Sequence, residues 1–309
     1  MLVFNQGFWT RDEKLADEIE GAKWEDLVLD GKVLKDLQEN LKSFFNNGSL
    51  YDDLGVAWKR GVLLVGPPGN GKSQTIKLLV KESRHPCLYV KSTKGSRDVE
   101  DEECIMSIFK RARKSAPCLL VLEDLDSLIV DRTRTFFLNE MDGFARNHGI
   151  LILASSNHPT RIEPAIRRPS RFDVVYLFEP PSFQLRCEYA TKCLRKIHTL
   201  GKDTDLPSFK DLEGLAKAIA EETEGFSYAY MKELFLGFLL HFAHSGGENI
   251  NDPKLLLLNH ISNLKKQIEI TIEEKEEEEE KEKEKEKVSD AGAPRRASSL
   301  IRCLRRLFL

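Results

Sequence analysis

The sequence predicts an α/β fold: a parallel sheet of five strands covered by helices, followed by a small all-α domain. Three observations predict it. Short apolar runs alternate with stretches of helical spacing through residues 61–178, the pattern of a parallel sheet buried on both faces. A Gly/Pro-rich stretch, Gly66 to Ser73, separates one such run from the helix after it. Pro180-Pro181 then ends the alternation, and beyond it apolar residues recur only at helical spacing.

The elements follow in order. MLVFNQGFWTRDEK opens the chain abruptly in strand-like sequence, so a further region upstream is expected; it lacks the basic-then-apolar layout of a signal peptide. Polar helical sequence covers Lys32–Phe45. Gly61–Val65 is the first buried strand, and a helix runs from Lys72 to about Glu82. Cys87–Lys91 is the second strand. Ile105, Ile108 and Ala112 set a helix over Cys104–Ser115, and Leu119–Leu122 is the third strand. Arg132–Met141 is a helix, Ile150–Ser155 the fourth strand and Val174–Phe178 the fifth. Ala190, Cys193, Leu194 and Ile197, then Leu212, Leu215, Ala216 and Ile219, mark two helices. Ser227 is placed to cap a third that runs through His241. The expected organisation is a lead over 1–23, an α/β domain over 24–180, a helical domain over 181–270, a Glu/Lys-rich linker over 271–294 and a basic tail over 295–309.

Composition narrows the class. The 309 residues are 41% hydrophobic and 31% charged, with a net charge of −3 that hides opposed blocks. That balance gives no reason to expect nucleic acid as a bulk partner. The run Glu273–Lys287 has no apolar stripe and reads as solvated helix or linker. In the tail, RRAS (Arg295–Ser298) has the shape of a basophilic kinase site, and IRCLRRLFL that of a segment for a membrane or a partner helix; motifs this short arise readily by chance. Cys87, Cys104, Cys118, Cys187, Cys193 and Cys303 form no CxxC pair and accompany no histidines at metal spacing, so reduced thiols are expected. No apolar run reaches transmembrane length. The default setting is intracellular, cytoplasm or nucleus, with the mitochondrion left open.

The strongest chemical signal is GPPGNGKS: Gly66, Pro67, Pro68, Gly69, Asn70, Gly71, Lys72 and Ser73, with Gln74 next. It fits G-x-x-x-x-G-K-[ST] with a strand before it and a helix after it. Glycines let the backbone curl close around a triphosphate, and the exposed N–H groups and positive helix end face the phosphates. Lys72 would reach the β- and γ-phosphates, and Ser73 would offer its hydroxyl to Mg²⁺. ATP and Mg²⁺ are the implied cofactors. The strand Leu119–Leu122 ends in Glu123-Asp124-Leu125-Asp126, which delivers carboxylates to the sheet's C-terminal edge, where such folds bind ligands. One acid would hold the Mg²⁺ shell; the next would orient or deprotonate the attacking water.

In these motifs the chain resembles the AAA ATPases. That family's order is Asp then Glu, whereas here it is Glu123 then Asp124. On the resemblance Glu123 is the Mg²⁺-side acid and Asp124 the catalytic one, each changed by one methylene. The exchange bears on hydrolysis rate, because the water must be placed closely. Swapped pairs of this kind look like those of the mitochondrial AAA chaperones that translocate the Rieske iron–sulfur protein, and WKRGVLLVGPPGNGKS with EDLDSL most resembles a group of uncharacterised fungal AAA proteins. FLNEMDGF (Phe137–Phe144) is similar to the segment between the acids and the fourth strand. Asn157 in ASSNHP matches the sensor 1 position. EPAIRRPSRFD (Glu163–Asp173) is similar to D-P-A-x-x-R-P-G-R-F-D, which makes Arg168 and Arg171 the arginine-finger candidates for a neighbouring subunit's site. TEGFSYAYMKELF (Thr223–Phe235) resembles the lid helix, with Gly225 and Ala229 near adenine; Tyr230 stands where an Asp is common. The resemblance spans about residues 20–245. It implies an oligomeric ring, such as a hexamer, acting as a motor or remodeller on a protein client. One departure is Ser92-Thr93-Lys94-Gly95-Ser96-Arg97, where many remodelling relatives carry an aromatic pore loop. Two rivals stand beside this reading: a nucleotide-dependent assembly switch with little turnover, and a small-molecule kinase with a similar loop.

Overall fold

The computed structural model describes residues 1–95, 99–142, 147–158, 160, 162, 164–200, 209, 211–244 and 253–270. The Glu/Lys run, the tail with Cys303, and Ser96, Arg97, Gly143, Phe144 and Glu163 of the motifs above lie outside the described residues.

In chain order the elements are β1 (Leu2–Asn5), β2 (Phe8–Arg11), α1 (Glu13–Gly21), α2 (Gly31–Asn46), α3 (Gly48–Asp53), β3 (Lys59–Val65), α4 (Lys72–Ser83), β4 (Cys87–Val90), α5 (Asp101–Ser115), β5 (Cys118–Leu122), α6 (Leu125–Leu128), α7 (Asp131–Asp142), β6 (Ile150–Ser156), β7 (Val174–Leu177), α8 (Phe183–Leu200), α9 (Leu212–Glu222) and α10 (Tyr228–His244). A further helix covers 253–270. The strands form a single sheet in the order β2-β1-β4-β5-β6-β3-β7. All neighbours are parallel except β1 and β2.

The α/β class holds, but the sheet has seven strands where the sequence predicted five. The extra pair comes from the lead. Gln6 and Gly7 both take positive φ, 49° and 93°, the geometry of a two-residue hairpin turn. β2 therefore folds back on β1 with Asn5 opposite Phe8, and β1, with Val3 and Phe4 buried, adds in parallel beside β4.

Strand alternation divides the core into two layers. Leu120 and Leu122 of β5 face α5 and α7, in a cluster with Ile105, Ile108, Phe109 and Phe137. Leu119 and Val121 face the other way, against Ile76, Leu79 and Val80 of α4 and Leu37, Leu41 and Phe44 of α2. Every residue of β5 is buried, and truncating such a core leucine to alanine costs about 2–5 kcal/mol. β5 is thus clamped from both sides, and whatever follows Leu122 emerges at a fixed point.

Contacts divide the chain inside α10 into two compact units, Met1–Leu236 and Gly237–Leu309. The first contains the sheet together with α8, α9 and the start of α10, so the sequence boundary at 180/181 falls within it. In the described part of the second, Leu257, Ile261 and Leu264 recur at helical spacing and are buried, and the His241 and His260 rings meet edge to face, 5.7 Å between centroids. The five described cysteines are free thiols. Among the described residues no helix is long and apolar enough to cross a membrane.

Candidate functional site

The C-terminal ends of β3, β5 and β6 lie side by side, and of the residues singled out from sequence the loop Gly66–Ser73, Glu123, Asp124 and Asn157 follow them, while Arg168 and Arg171 sit on a separate turn. Gly66 to Gly71 form the connection from β3 to α4. Gly66, Gly69 and Gly71 have φ of 150°, 80° and 90°, and a Cβ on Gly66 would lie 2.1 Å from the Phe178 carbonyl oxygen. Pro67 and Pro68 are exposed, whereas Asn70 is buried, and its amide donates to the Phe178 oxygen at 3.4 Å.

Lys72, Ser73 and Gln74 make the first turn of α4. Lys72 is only 6% exposed, and its Nζ donates to the carbonyls of its own loop, Gly66 at 2.6 Å and Pro67 at 2.8 Å. Burial lowers its pKa, while the charges of Asp124 and Asp126 oppose that shift. Ser73 is exposed at the helix start.

The two acids at the tip of β5 go separate ways. Glu123 shares the side of Val121, which packs on α4, the helix that begins with Lys72 and Ser73. Its Oε2 accepts a 2.8 Å hydrogen bond from the Tyr89 hydroxyl. Burial first, and then the charge of Glu123, push the Tyr89 phenol well above its ordinary range, so it donates. Asp124 is exposed and adopts φ 51°, ψ 52°, a left-handed conformation that Asp tolerates better than most residues. Its backbone oxygen caps α6 by accepting from Ser127 and Leu128. Its Oδ1 accepts from Asn157 Nδ2 at 2.8 Å, and its backbone N donates to Ser155 Oγ at 3.4 Å.

The structure thus joins Asp124 to Asn157, 33 positions later, because Leu122 pairs with Ala154 and the chain beyond each runs on side by side. Three neighbours went unassigned in the sequence. Asp126 accepts from Ser156 Oγ at 2.6 Å, Ser155 receives the Asp124 amide, and Tyr89 holds Glu123. Asp126 was visible two places after Asp124; the role of Tyr89 depends on the register of β4 against β5, which no local pattern encodes.

The start of α10 reaches the same loop. The Ala229 amide donates to the Gly69 oxygen at 3.1 Å, and the Ala229 methyl lies 2.8 Å from where a Gly69 Cβ would be. Gly225, φ 80°, makes the turn before the helix, with open space beside it.

The arginine turn is built differently. Arg171 is bound by its own chain: Nε and Nη2 pair with the two Asp142 oxygens at 2.9 and 2.5 Å, and Nη1 donates to the Ala165 oxygen at 2.5 Å. Its guanidinium holds the Asp142 carboxyl below the usual carboxylate value. Arg168 is exposed. Asp173 anchors the turn to β3, accepting from Gly61 N at 3.0 Å and from Ser170 N at 2.9 Å. Ser170, where the resembling pattern has Gly, takes φ 76°.

The segment after β4 is tied down as well. Buried Thr93 donates to the Leu128 oxygen at 2.5 Å, and Gly95 N donates to Asp101 Oδ1 at 2.7 Å. Lys94 between them is exposed.

A family model described as "ATPase family associated with various cellular activities (AAA)" matches residues 62–180. The ATPase family gene 2 protein of Saccharomyces cerevisiae is 31% identical over 224 residues, covering 69% of this chain and 27% of the relative. Its namesake in Schizosaccharomyces pombe is 31% identical over 222 residues, covering 69% and 26%. The ATP-dependent zinc metalloprotease FtsH 1 of Methylacidiphilum infernorum is 31% identical over 265 residues, covering 80% and 39%. The chain therefore spans between about a quarter and two fifths of the length of these relatives.

Proposed function

Residues 62–180 carry a domain of the AAA family of ATPases, and from that premise we propose that this chain binds ATP with Mg²⁺ at the β3–α4 loop and hydrolyses it as one subunit of an oligomeric, ring-forming remodeller of protein complexes. The observation that carries the reading is the convergence of Lys72, Glu123, Asp124 and Asn157 on one sheet edge, with Asp124 and Asn157 in direct contact.

The residues fit the implied groups. The loop turns through positive φ at three glycines, leaving backbone N–H groups to face a polyphosphate. Lys72 exchanges its bonds to the Gly66 and Pro67 carbonyls for bonds to phosphate oxygens; a charge-assisted pair replaces two neutral acceptors. The Ser73 hydroxyl and the Glu123 carboxylate are the hard oxygen donors magnesium takes. Bound there, Mg²⁺ would neutralise charge on the β- and γ-phosphates. Asp124 orients the attacking water and accepts its proton. Asn157 holds one oxygen of Asp124, so the proton goes to the other. Gly225 and Ala229 would face the adenine, a reading supported by the Ala229–Gly69 bond that ties the start of α10 to the loop.

Arg168, exposed on its turn, is the residue offered to a neighbouring subunit's γ-phosphate, while Arg171 fixes the turn through Asp142. Hydrolysis then alters both the lid and that intersubunit contact. The client is gripped without aromatic side chains in the segment Ser92–Gly95, where Lys94 is the exposed group.

Steady-state phosphate release tests the proposal. The unaltered chain should release phosphate from ATP only with Mg²⁺, and Lys72→Ala and Asp124→Asn should release far less. Equal release from the unaltered chain and Lys72→Ala refutes hydrolysis at this loop. The short, left-handed Asp124 favours a second reading, an assembly switch that binds ATP and barely turns it over; release by the unaltered chain no faster than by Asp124→Asn, with ATP-dependent oligomers by light scattering, would establish it.

A further inference from the structure

We propose that Tyr89 is a positioning residue for the Mg²⁺-side acid, a phenol that draws the longer Glu123 side chain back so that one carboxylate oxygen stands where a shorter acid would place it. The inference rests on the functional reading above and assigns that site a residue outside the loop, acid and arginine motifs.

The geometry carries it. β4 and β5 are parallel neighbours, and Tyr89 lies opposite Val121. Paired residues share a face, and so does the residue two further on, so Tyr89 and Glu123 emerge on the same side of the sheet. Two residues of strand advance about 6.6 Å, a span a tyrosine covers and a leucine or valine does not. The hydroxyl meets Glu123 Oε2 at 2.8 Å. The ring is partly buried against the α4-side core, so its direction is set by packing. Only one carboxylate oxygen is engaged by this bond, which would leave the other free to ligate Mg²⁺ together with the Ser73 hydroxyl.

The chemistry of the swapped pair explains why such a hold is needed. Glutamate has one more rotatable bond than aspartate, and at the end of a clamped strand that extra reach would spread the carboxylate over several positions. A hydrogen bond from outside the ligand set restores a single orientation; loss of a comparable partner lowers metal affinity or activity about 10- to 100-fold. Asp124, the short member, is held instead by Asn157, the residue after β6. The two acids are therefore steadied from opposite neighbouring strands, each by a neutral donor.

The test is a double-mutant cycle on the full chain, with a fluorescent non-hydrolysable ATP analogue titrated with and without Mg²⁺ and turnover measured in parallel. Tyr89→Phe removes only the hydroxyl. It should bind the analogue normally without Mg²⁺, lose about tenfold of the metal-dependent gain in affinity, and lose about tenfold in kcat. In a Glu123→Asp background, where the acid no longer reaches the phenol, Tyr89→Phe should change neither measurement. A Tyr89→Phe chain that keeps the metal-dependent gain within twofold overturns the inference alone. The same tenfold loss in the Glu123→Asp background also overturns it, since a packing defect would act regardless of the acid. No metal-dependent gain in the unaltered chain would overturn both this inference and the functional reading.

Discussion

The glycine loop and the arginine turn both present cations, and they treat them in opposite ways. At the loop, Lys72 is buried and bonded to its own backbone, with Asp124 and Asp126 supplying the opposing charge. At the turn, the cations are divided: Arg171 is locked to Asp142, and Arg168 is left exposed. On the proposed reading the loop is a site whose parts all come from one chain, and the turn is a mount whose exposed Arg168 has its target on a neighbouring subunit. Nucleotide binding should then be a property of the single chain, whereas full turnover should require a second copy.

The largest effect expected from that contrast is on Arg168. Arg168→Ala should cut turnover by about 10³-fold or more, leave nucleotide affinity unchanged and leave Tm within a degree or so. Mixing it with Lys72→Ala, so that each supplies what the other lacks, should restore measurable turnover; failure to do so would break the comparison. Lys72→Ala comes next, with a loss of about 10²–10³-fold in turnover together with lost affinity for the analogue in equilibrium titration.

Arg171→Ala should separate from Arg168→Ala by stability, losing about 2 kcal/mol in denaturant titration because hydrogen bonds to a charged group go with it. The pH dependence sharpens this. Asp142 is held below its ordinary 3.8 chiefly by Arg171. A depressed carboxyl gives stability that is fully present above that ordinary value and is lost as the pH falls through the depressed one. The stability gap between the unaltered chain and Arg171→Ala should be full above about pH 5 and close as the pH falls below about 4. The smallest effect is at Ser170, whose φ of 76° is strained for a residue with a Cβ. Ser170→Gly should stabilise the fold by about 0.5–1 kcal/mol, the relief of strain being partly offset by the added freedom of glycine in the unfolded chain.

Legibility in the sequence tracked locality. The loop could be read because Gly66 to Ser73 are contiguous and their turns need glycine. Glu123 and Asp124 could be read because an apolar strand ends at Leu122. What could not be read were relations between strands. Tyr89 looks like an ordinary strand aromatic until its register against Val121 is known. Asn157 was singled out by resemblance, but its bond to Asp124 depends on β6 lying beside β5. Arg168 and Arg171 look alike in RRPSR, and only the position of Asp142 at the end of α7 tells them apart. The lead was read as strand-like, but its two strands were not counted in the sheet because the Gln6-Gly7 turn is a weaker hairpin signal than Asn-Gly.

That small hairpin also decides where the sheet stops. β1 receives the Lys91 amide at the Phe4 oxygen and pairs along β4, so the strand carrying Tyr89 is interior and its backbone groups are satisfied on both sides. Trimming residues 1–11 would turn β4, with Leu88 and Val90, into a bare margin open to pairing with other molecules. Such a shortened chain should precipitate more readily, and the strand that steadies Glu123 would become the sheet's outermost and least constrained.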